Sequence, residues 1–176
     1  MLISDLKYGD VLLYVESPKY SSILVKNIRL ITGSKYTHSA IYIDDGNKFI
    51  LEQLLLRVIT FVYDYKLEVG EEVYIVRPKF EVKEINEDLY KHKPYGIFSI
   101  LDDALNHLLG RLTFGNWTKK CILGRFSSNI TCSALVAECL NLANNVNWCY
   151  DNRIVEPDDY FNHTEDFDFL GRLEIK

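Results

Sequence analysis

Residues 38–54 contain two apolar segments separated by a turn sequence, and this feature restricts the possible folds of the chain most strongly. The segments HSAIYIDD (38–45) and KFILEQL (48–54) are rich in β-branched and aromatic residues, which favour strands. Between them, the residues DGN (45–47) are typical of a tight turn that joins antiparallel strands. We therefore expect a β-hairpin, and with it an antiparallel sheet.

The rest of the chain mixes strand and helix patterns. The predicted strands outside the hairpin are 10–15, 55–63, 72–77 and 167–175. The predicted helices are 21–32, 86–90, 97–109, 131–142 and a short one starting at 156–160, with a loop at 115–126. Gly33 and Gly110 are placed to end two of these helices. Because the strands come together before most of the helices, the order predicts an α+β fold rather than a parallel α/β sheet.

Length and composition narrow the class of protein. The chain has 176 residues, which suits one domain over 1–176, and 48% of them are hydrophobic, which is enough for a core. The net charge of −5 is spread along the chain without a cluster of Lys or Arg, so we expect no nucleic-acid partner. The sequence shows no signal-peptide pattern and no apolar run long enough to cross a bilayer. We expect a cytoplasmic protein without an integral membrane segment.

Cysteine placement points to one reactive thiol. The four cysteines are Cys121, Cys132, Cys139 and Cys149; none forms a C-x-x-C pair, and we expect neither a metal site nor a cofactor. Cys132 lies in the first turn of the predicted helix 131–142, behind Thr131 as a plausible N-cap residue. Unpaired N–H groups and the helix dipole stabilise a thiolate there. Free cysteines are also often plain buried hydrophobes, and Cys139 fits that description.

His38 and Glu52 are the predicted partners of this thiol. A thiol nucleophile needs a base that is oriented by a third group. His38 opens an apolar strand, whereas His92, His107 and His163 are most simply surface residues. His38 and Glu52 are each seven residues from Asp45, so a hairpin turning there places them nearly opposite each other. The alternative for this pair is a buried ion pair with a purely structural role.

Five segments, in order, resemble the circularly permuted branch of the NlpC/P60 (papain-like) superfamily, which includes YiiX/YebB-like and lecithin–retinol acyltransferase-like proteins. They are YGDVLL (8–13), LITGSKYTHSAI (30–41), LEQ (51–53), TCSALV (131–136) and EPDDY (156–160). The second and fourth resemble the family's histidine and cysteine signatures, and His precedes Cys as the permutation requires. Ala134 departs from the Glu that many relatives have after the cysteine.

The resemblance implies a permuted papain-like fold, with an antiparallel sheet packed against helices that include the nucleophile helix. It implies a cysteine amidase or peptidase-type hydrolase, or an acyltransferase, in which Cys132, His38 and Glu52 act through a thioester. The backbone N–H of Cys132, with Tyr14 and Ser133 as further candidates, would hold the oxyanion or substrate. Peptidoglycan-type peptides, acyl-amides and lipids are the substrate classes, and a bacterial or bacteriophage source would suit such a chain.

Two other interpretations stay open. A catalytically inactive interaction module could keep this fold without the chemistry. An unrelated α+β binding protein would instead place Cys132, His38 and Glu52 far apart. The aromatic residues Tyr95, Phe98, Phe114 and Trp117 could line a substrate groove, but they are more simply predicted as core.

Overall fold

A six-stranded antiparallel sheet organises the described part of the chain. The computed structural model describes residues 1–16, 33–43, 49–53, 60–62, 71–90, 96–114, 130–144 and 155–174, with single residues 30, 93, 120 and 122. The strands are β1 (Val11–Glu16), β2 (His38–Ile43), β3 (Phe49–Glu52), β4 (Thr60–Val62), β5 (Glu72–Pro78) and β6 (Phe167–Arg172), in the spatial order β4-β3-β2-β1-β5-β6. The helices are α1 (Ile97–Leu112), α2 (Cys132–Asn144) and α3 (Pro157–Asn162).

The predicted α+β class is confirmed, and each predicted strand has a counterpart in the sheet. The predicted stretch at 86–90 is a single 3-10 turn, Glu87–Leu89. Apart from the single residues 30, 120 and 122, the predicted helix 21–32, the turn 45–47 and the loop 115–126 lie outside the described residues.

The end of α1 differs from the prediction. Gly110 lies inside the helix, which continues to Leu112 and is followed by Thr113, whose N–H donates to the Leu109 carbonyl at 2.9 Å. Phe114 takes the left-handed conformation, with φ of 52°, that Gly110 was expected to supply. Its side chain is 95% exposed, so the prediction that Phe114 belongs to the core is wrong. Tyr95, Phe98 and Trp117 have no described side chains.

The central strands of the sheet are buried on both faces. One face packs against α2, where strand residues such as Ile41 and Leu51 meet Leu135 and Leu140. The other face carries a second core cluster, made up of Leu6, Leu12, Tyr14, Ala40, Tyr42, Ile50, Val73, Ile75 and Leu173. This double burial explains why all six residues of β2 are buried, and why its residues 40–43 form a continuous apolar run.

A buried ion pair and a close backbone contact fix the start of β1. Gly9 has φ of 87°, and a Cβ atom at this position would lie 2.4 Å from Val82 Cγ2. The fully buried Asp10 carboxylate accepts two hydrogen bonds from the Arg77 guanidinium of β5, each at 2.7 Å. This bidentate geometry gives both strength and orientation, so it ties β1 firmly to β5. β1 in turn pairs with β2, the strand that begins with His38.

Candidate active site

His38 and Glu52 are in contact, although the hairpin register differs from the predicted one. Glu52 pairs with Ala40 rather than with His38, because Ile43 pairs with Phe49 and the register is shifted by two residues from the predicted one. A shift of two residues keeps Glu52 on the same face of the sheet, where it reaches His38 diagonally. His38 Nε2 lies 3.1 Å from Glu52 Oε2, and both side chains are almost completely buried.

Cys132 is the first residue of α2, and the sequence around it explains why the helix begins there. The Thr131 hydroxyl accepts the N–H of Ala134 at 3.2 Å, as expected for an N-cap residue. The Thr131 carbonyl accepts the N–H of Leu135 at 2.9 Å, which closes the first turn. The Cys132 side chain, 5% exposed, therefore lies at the positive end of the helix dipole.

The sulfur of Cys132 meets the imidazole of His38 at the beginning of β2. Glu52 engages Nε2 of the same ring. The thiol and the imidazole interact both electrostatically and through a hydrogen bond. Backbone N–H groups of Ser39 and Ser133 also point to the sulfur. The three predicted residues thus come together in the order Cys132, His38, Glu52.

These contacts change the acid–base properties of both groups. Burial disfavours the Cys132 thiolate, but the His38 imidazolium and the Ser39 and Ser133 N–H groups outweigh it and lower the pKa of Cys132 to about 7. Burial also disfavours the charged His38, but the negative Cys132 and Glu52 outweigh it and raise its pKa to about 9. Between these two pH values the favoured state is a thiolate–imidazolium pair.

Tyr14 and Ser133 both adjoin this centre. Tyr14 pairs with His38 across β1 and β2, and the two ring centroids are 5.3 Å apart. The Ser133 hydroxyl donates to the Val155 carbonyl at 2.7 Å, so that hydroxyl is occupied by a structural contact. What Ser133 offers to the sulfur is its backbone N–H. Of these two candidates, only Tyr14 places its side chain against a residue of the Cys132–His38–Glu52 group.

Sequence reasoning missed a set of hydrogen bonds from α3 to both halves of the site. The Asp158 carboxylate accepts the N–H groups of Lys35 and Tyr36, each at 3.2 Å, in the loop before His38. The Tyr160 hydroxyl donates to the Ser133 carbonyl at 2.5 Å, one residue after Cys132. The only signal was the resemblance of the EPDDY segment (156–160), which carried no expectation of these contacts.

The remaining cysteines and histidines have other surroundings. Cys139 is a fully buried free thiol beside Tyr90, and burial raises its pKa well above the ordinary value. His107 is partly exposed and lies 2.7 Å from Glu156, a side-chain contact that the prediction of a surface residue did not include. His163 is exposed. Cys121, Cys149 and His92 lie outside the described residues.

Within the described ranges, no cluster of three His, Cys, Asp or Glu side chains could hold a metal ion. No helix in the same part of the chain is both long and apolar enough to cross a membrane. No protein-family model matches the chain, and no curated protein resembles it closely enough in sequence to count as a relative.

Proposed function

We propose that the chain is a cysteine hydrolase of the circularly permuted NlpC/P60 type, which cleaves an amide or ester bond through a thioester. One observation carries the proposal: a thiol at the start of a helix meets an imidazole that a buried carboxylate holds from behind. A structural ion pair between His38 and Glu52 would not require a cysteine that interacts with the same ring. Nor would it bring two backbone N–H groups to that sulfur.

The geometry supports an acyl-transfer mechanism. The Cys132 thiolate attacks the carbonyl carbon and forms a C–S bond, while the carbonyl electrons move to the oxygen. The Cys132 N–H, at the start of α2, is a donor for that oxyanion. Collapse of the intermediate breaks the bond to the amine or alkoxide, which takes a proton from the His38 imidazolium. This leaves a thioester on Cys132.

The second half of the cycle returns the enzyme to its starting state. Neutral His38 removes a proton from water, which attacks the thioester, and the acid leaves as the C–S bond breaks. Glu52 keeps the ring oriented and stabilises its charged form in both halves. A different acceptor in place of water would make the same site an acyltransferase.

Fold and chain order support the permuted version of this enzyme class. The nucleophile helix α2 packs on an antiparallel sheet, and the strand carrying the histidine comes before it in the sequence. In the proposed class, permutation produces this His-before-Cys order. Candidate substrates are stem peptides or other fragments of the cell wall, acyl-amides and lipids. The net charge of −5 weighs against tight binding to an anionic wall polymer.

Labelling with a thiol-directed acyl probe tests the proposal. We expect the parent protein to be labelled at Cys132, and Cys132→Ala and His38→Ala to lose labelling while remaining folded by circular dichroism. Cys139→Ala is the matched control, because it removes a buried cysteine from the same helix without touching His38. If Cys132→Ala labels as strongly as the parent, the mechanism is wrong, and an unreactive parent would support the inactive interaction module.

A substrate screen follows from the same variants. Peptidoglycan fragments, acyl-amides and phospholipids can each be incubated with the parent and with Cys132→Ala, and hydrolysis followed by mass spectrometry. A substrate of the site is turned over by the parent and spared by the variant. Accumulation of a covalent acyl adduct on Cys132, seen as an added mass on the intact protein, would identify the thioester directly.

A further inference from the structure

The short helix α3 is hydrogen-bonded to the two segments that carry the nucleophile and the base. On one side, the two Asp158 carboxylate oxygens each accept one backbone N–H, from Lys35 and from Tyr36. A carboxylate that accepts two main-chain N–H groups fixes the local path of the backbone, because both bonds are charge-assisted. These donors lie two and three residues before His38.

On its other side, the same segment holds the beginning of the nucleophile helix. The fully buried Tyr160 donates its hydroxyl hydrogen to the Ser133 carbonyl at 2.5 Å. The Val155 carbonyl accepts the Ser133 hydroxyl at 2.7 Å. Ser133 follows Cys132 directly, and its N–H points to the sulfur. The segment 155–160 therefore makes two hydrogen bonds to Ser133, the residue next to the nucleophile.

The loop 33–37 before His38 is held between β1, β5 and α3. Its far end is tied to β1 by the bond from the Thr37 N–H to the Tyr14 carbonyl at 2.7 Å. Within the loop, the Ser34 hydroxyl donates to the Tyr36 carbonyl at 2.7 Å. The Tyr36 ring packs on Phe161 of α3, with ring centroids 5.9 Å apart. The Tyr36 ring also packs on Tyr74 of β5, with ring centroids 5.9 Å apart. The Asp158 carboxylate adds charge-assisted bonds to the backbone of this loop.

The helix that makes these contacts is itself well anchored. Pro157 occupies a first-turn position, and the Glu156 N–H donates to the Asp159 carboxylate at 2.9 Å. Glu156 also reaches His107 of α1 at 2.7 Å. The Asp159 carboxylate therefore caps the start of α3, whereas the carboxylate of its neighbour Asp158 binds the loop before His38. This difference provides a matched pair for experiment.

We propose that Asp158 is a positioning residue of the site, which together with Tyr160 sets the separation between the Cys132 sulfur and the His38 ring. This inference rests on the proposed function and adds the element that holds its two reacting groups together. The attraction between thiolate and imidazolium decreases with distance, and their hydrogen bond depends on alignment. Release of the loop or of the helix start therefore weakens the attraction and the hydrogen bond between the thiolate and the imidazolium.

The test is the pH dependence of iodoacetamide alkylation at Cys132, quantified by peptide mass spectrometry. In the parent, the rate should rise with a midpoint near pH 7, in line with the lowered pKa of Cys132. Asp158→Ala should move the midpoint upward by about one pH unit, which reduces the thiolate fraction at pH 7 from about one half to about one tenth. Asp158→Asn keeps one acceptor oxygen and should fall between the two.

Asp159→Ala is the control, since it removes the hydrogen bond that caps α3 and keeps the Asp158 carboxylate. It should lower the melting temperature while leaving the midpoint near pH 7. If Asp158→Ala does not fold, Asp158→Asn and Tyr160→Phe test the inference in its place. Both should raise the pH midpoint of alkylation at Cys132. A midpoint at the parental value in every folded Asp158 variant would overturn the inference while the proposed function stands. A parent midpoint near the ordinary thiol value would instead overturn the proposed function itself.

Discussion

Glu52 holds the imidazole of His38 from a diagonal position, two residues away from the point directly across β2 and β3. Diagonal neighbours on one face of a sheet are farther apart than direct partners, and a long side chain is needed to bridge them. Glutamate has that reach. The buried carboxylate, 2% exposed, then has a charged partner that offsets the cost of its burial.

Glu52→Gln should preserve the shape of the side chain and remove its charge. We expect kcat/KM to fall by about 10²–10⁴-fold, because the imidazolium loses its buried counter-charge and the amide permits the wrong tautomer. Hydrolysis of the substrate or probe identified by the screen gives the measurement. Glu138 is a carboxylate of α2 that is paired with Lys93, so Glu138→Gln should retain near-parental rates. A Glu52→Gln enzyme as fast as the parent would exclude a catalytic role for the carboxylate.

The reaction should show a bell-shaped dependence on pH. Acylation requires the thiolate, which forms as the pH rises through about 7, and the imidazolium, which is lost as the pH rises through about 9. The rate should therefore increase from pH 6 to 7.5 and decline above pH 9. Because the two groups are coupled, the limbs belong to the pair as a whole. A rate that only begins to rise above pH 8.5 would show an ordinary thiol at this position.

Cys132→Ala should lower the pKa of His38. Burial favours the neutral ring, and the negative Cys132 is the largest of the influences that raise its pKa to about 9. With the sulfur removed, the ring keeps only Glu52 as its counter-charge. Titration of the histidine ring protons by NMR measures the change, with the exposed His163 as an internal reference. An identical His38 titration in both proteins would mean that the sulfur and the ring do not interact.

Tyr14→Phe separates two roles of the side chain. The phenylalanine ring can keep the packing against His38, whose centroid is 5.3 Å away, so we expect the fold and the thiol pKa to be unchanged. If the hydroxyl helps to hold the oxyanion, kcat should drop by about 10²-fold with little change in KM. Measuring kcat and KM for Tyr14→Phe and for the parent distinguishes the two roles. Unchanged kcat would limit Tyr14 to packing.

Gly9→Ala should destabilise the protein by about 2–5 kcal/mol, from left-handed backbone strain and overpacking against Val82. Gly110→Ala is the opposite case, since nothing lies within 4 Å of its added methyl group inside α1. It should stabilise by about 0.5–1 kcal/mol. Urea denaturation of both variants gives the two free energies. Equal effects of the two substitutions would show that the close approach of Val82 to Gly9 is not maintained in solution.

Local patterns predicted the strands, the helix that begins at Cys132 and the proximity of His38 to Glu52. The predicted contact survived an error of two residues in the strand register, because a shift of two residues keeps a side chain on its face of the sheet, whereas a shift of one moves it to the other face. The resulting contact is diagonal rather than direct. Burial on both faces gave no alternation within β2 from which the register could have been predicted.

The contacts from α3 could not be predicted from sequence patterns. Asp158 and Lys35 are 123 residues apart, and the bond joins a side chain to a backbone N–H, which any residue except proline can offer. The left-handed conformation of Phe114 could not be predicted either, because glycine is the residue type expected in that conformation and Gly110 lies nearby. In both cases tertiary contacts and local backbone geometry, rather than residue type, decide the outcome.

Because His38 and Cys132 are far apart along the chain, the reactivity of the Cys132 thiol reports whether folding is complete. Its acidity depends on a strand from the first half of the molecule, a helix from the second half and the short helix that joins them. A chain in which any of these elements has not yet docked would present a sulfur with ordinary reactivity. Rapid alkylation at neutral pH during refolding should therefore appear last, after the sheet has assembled.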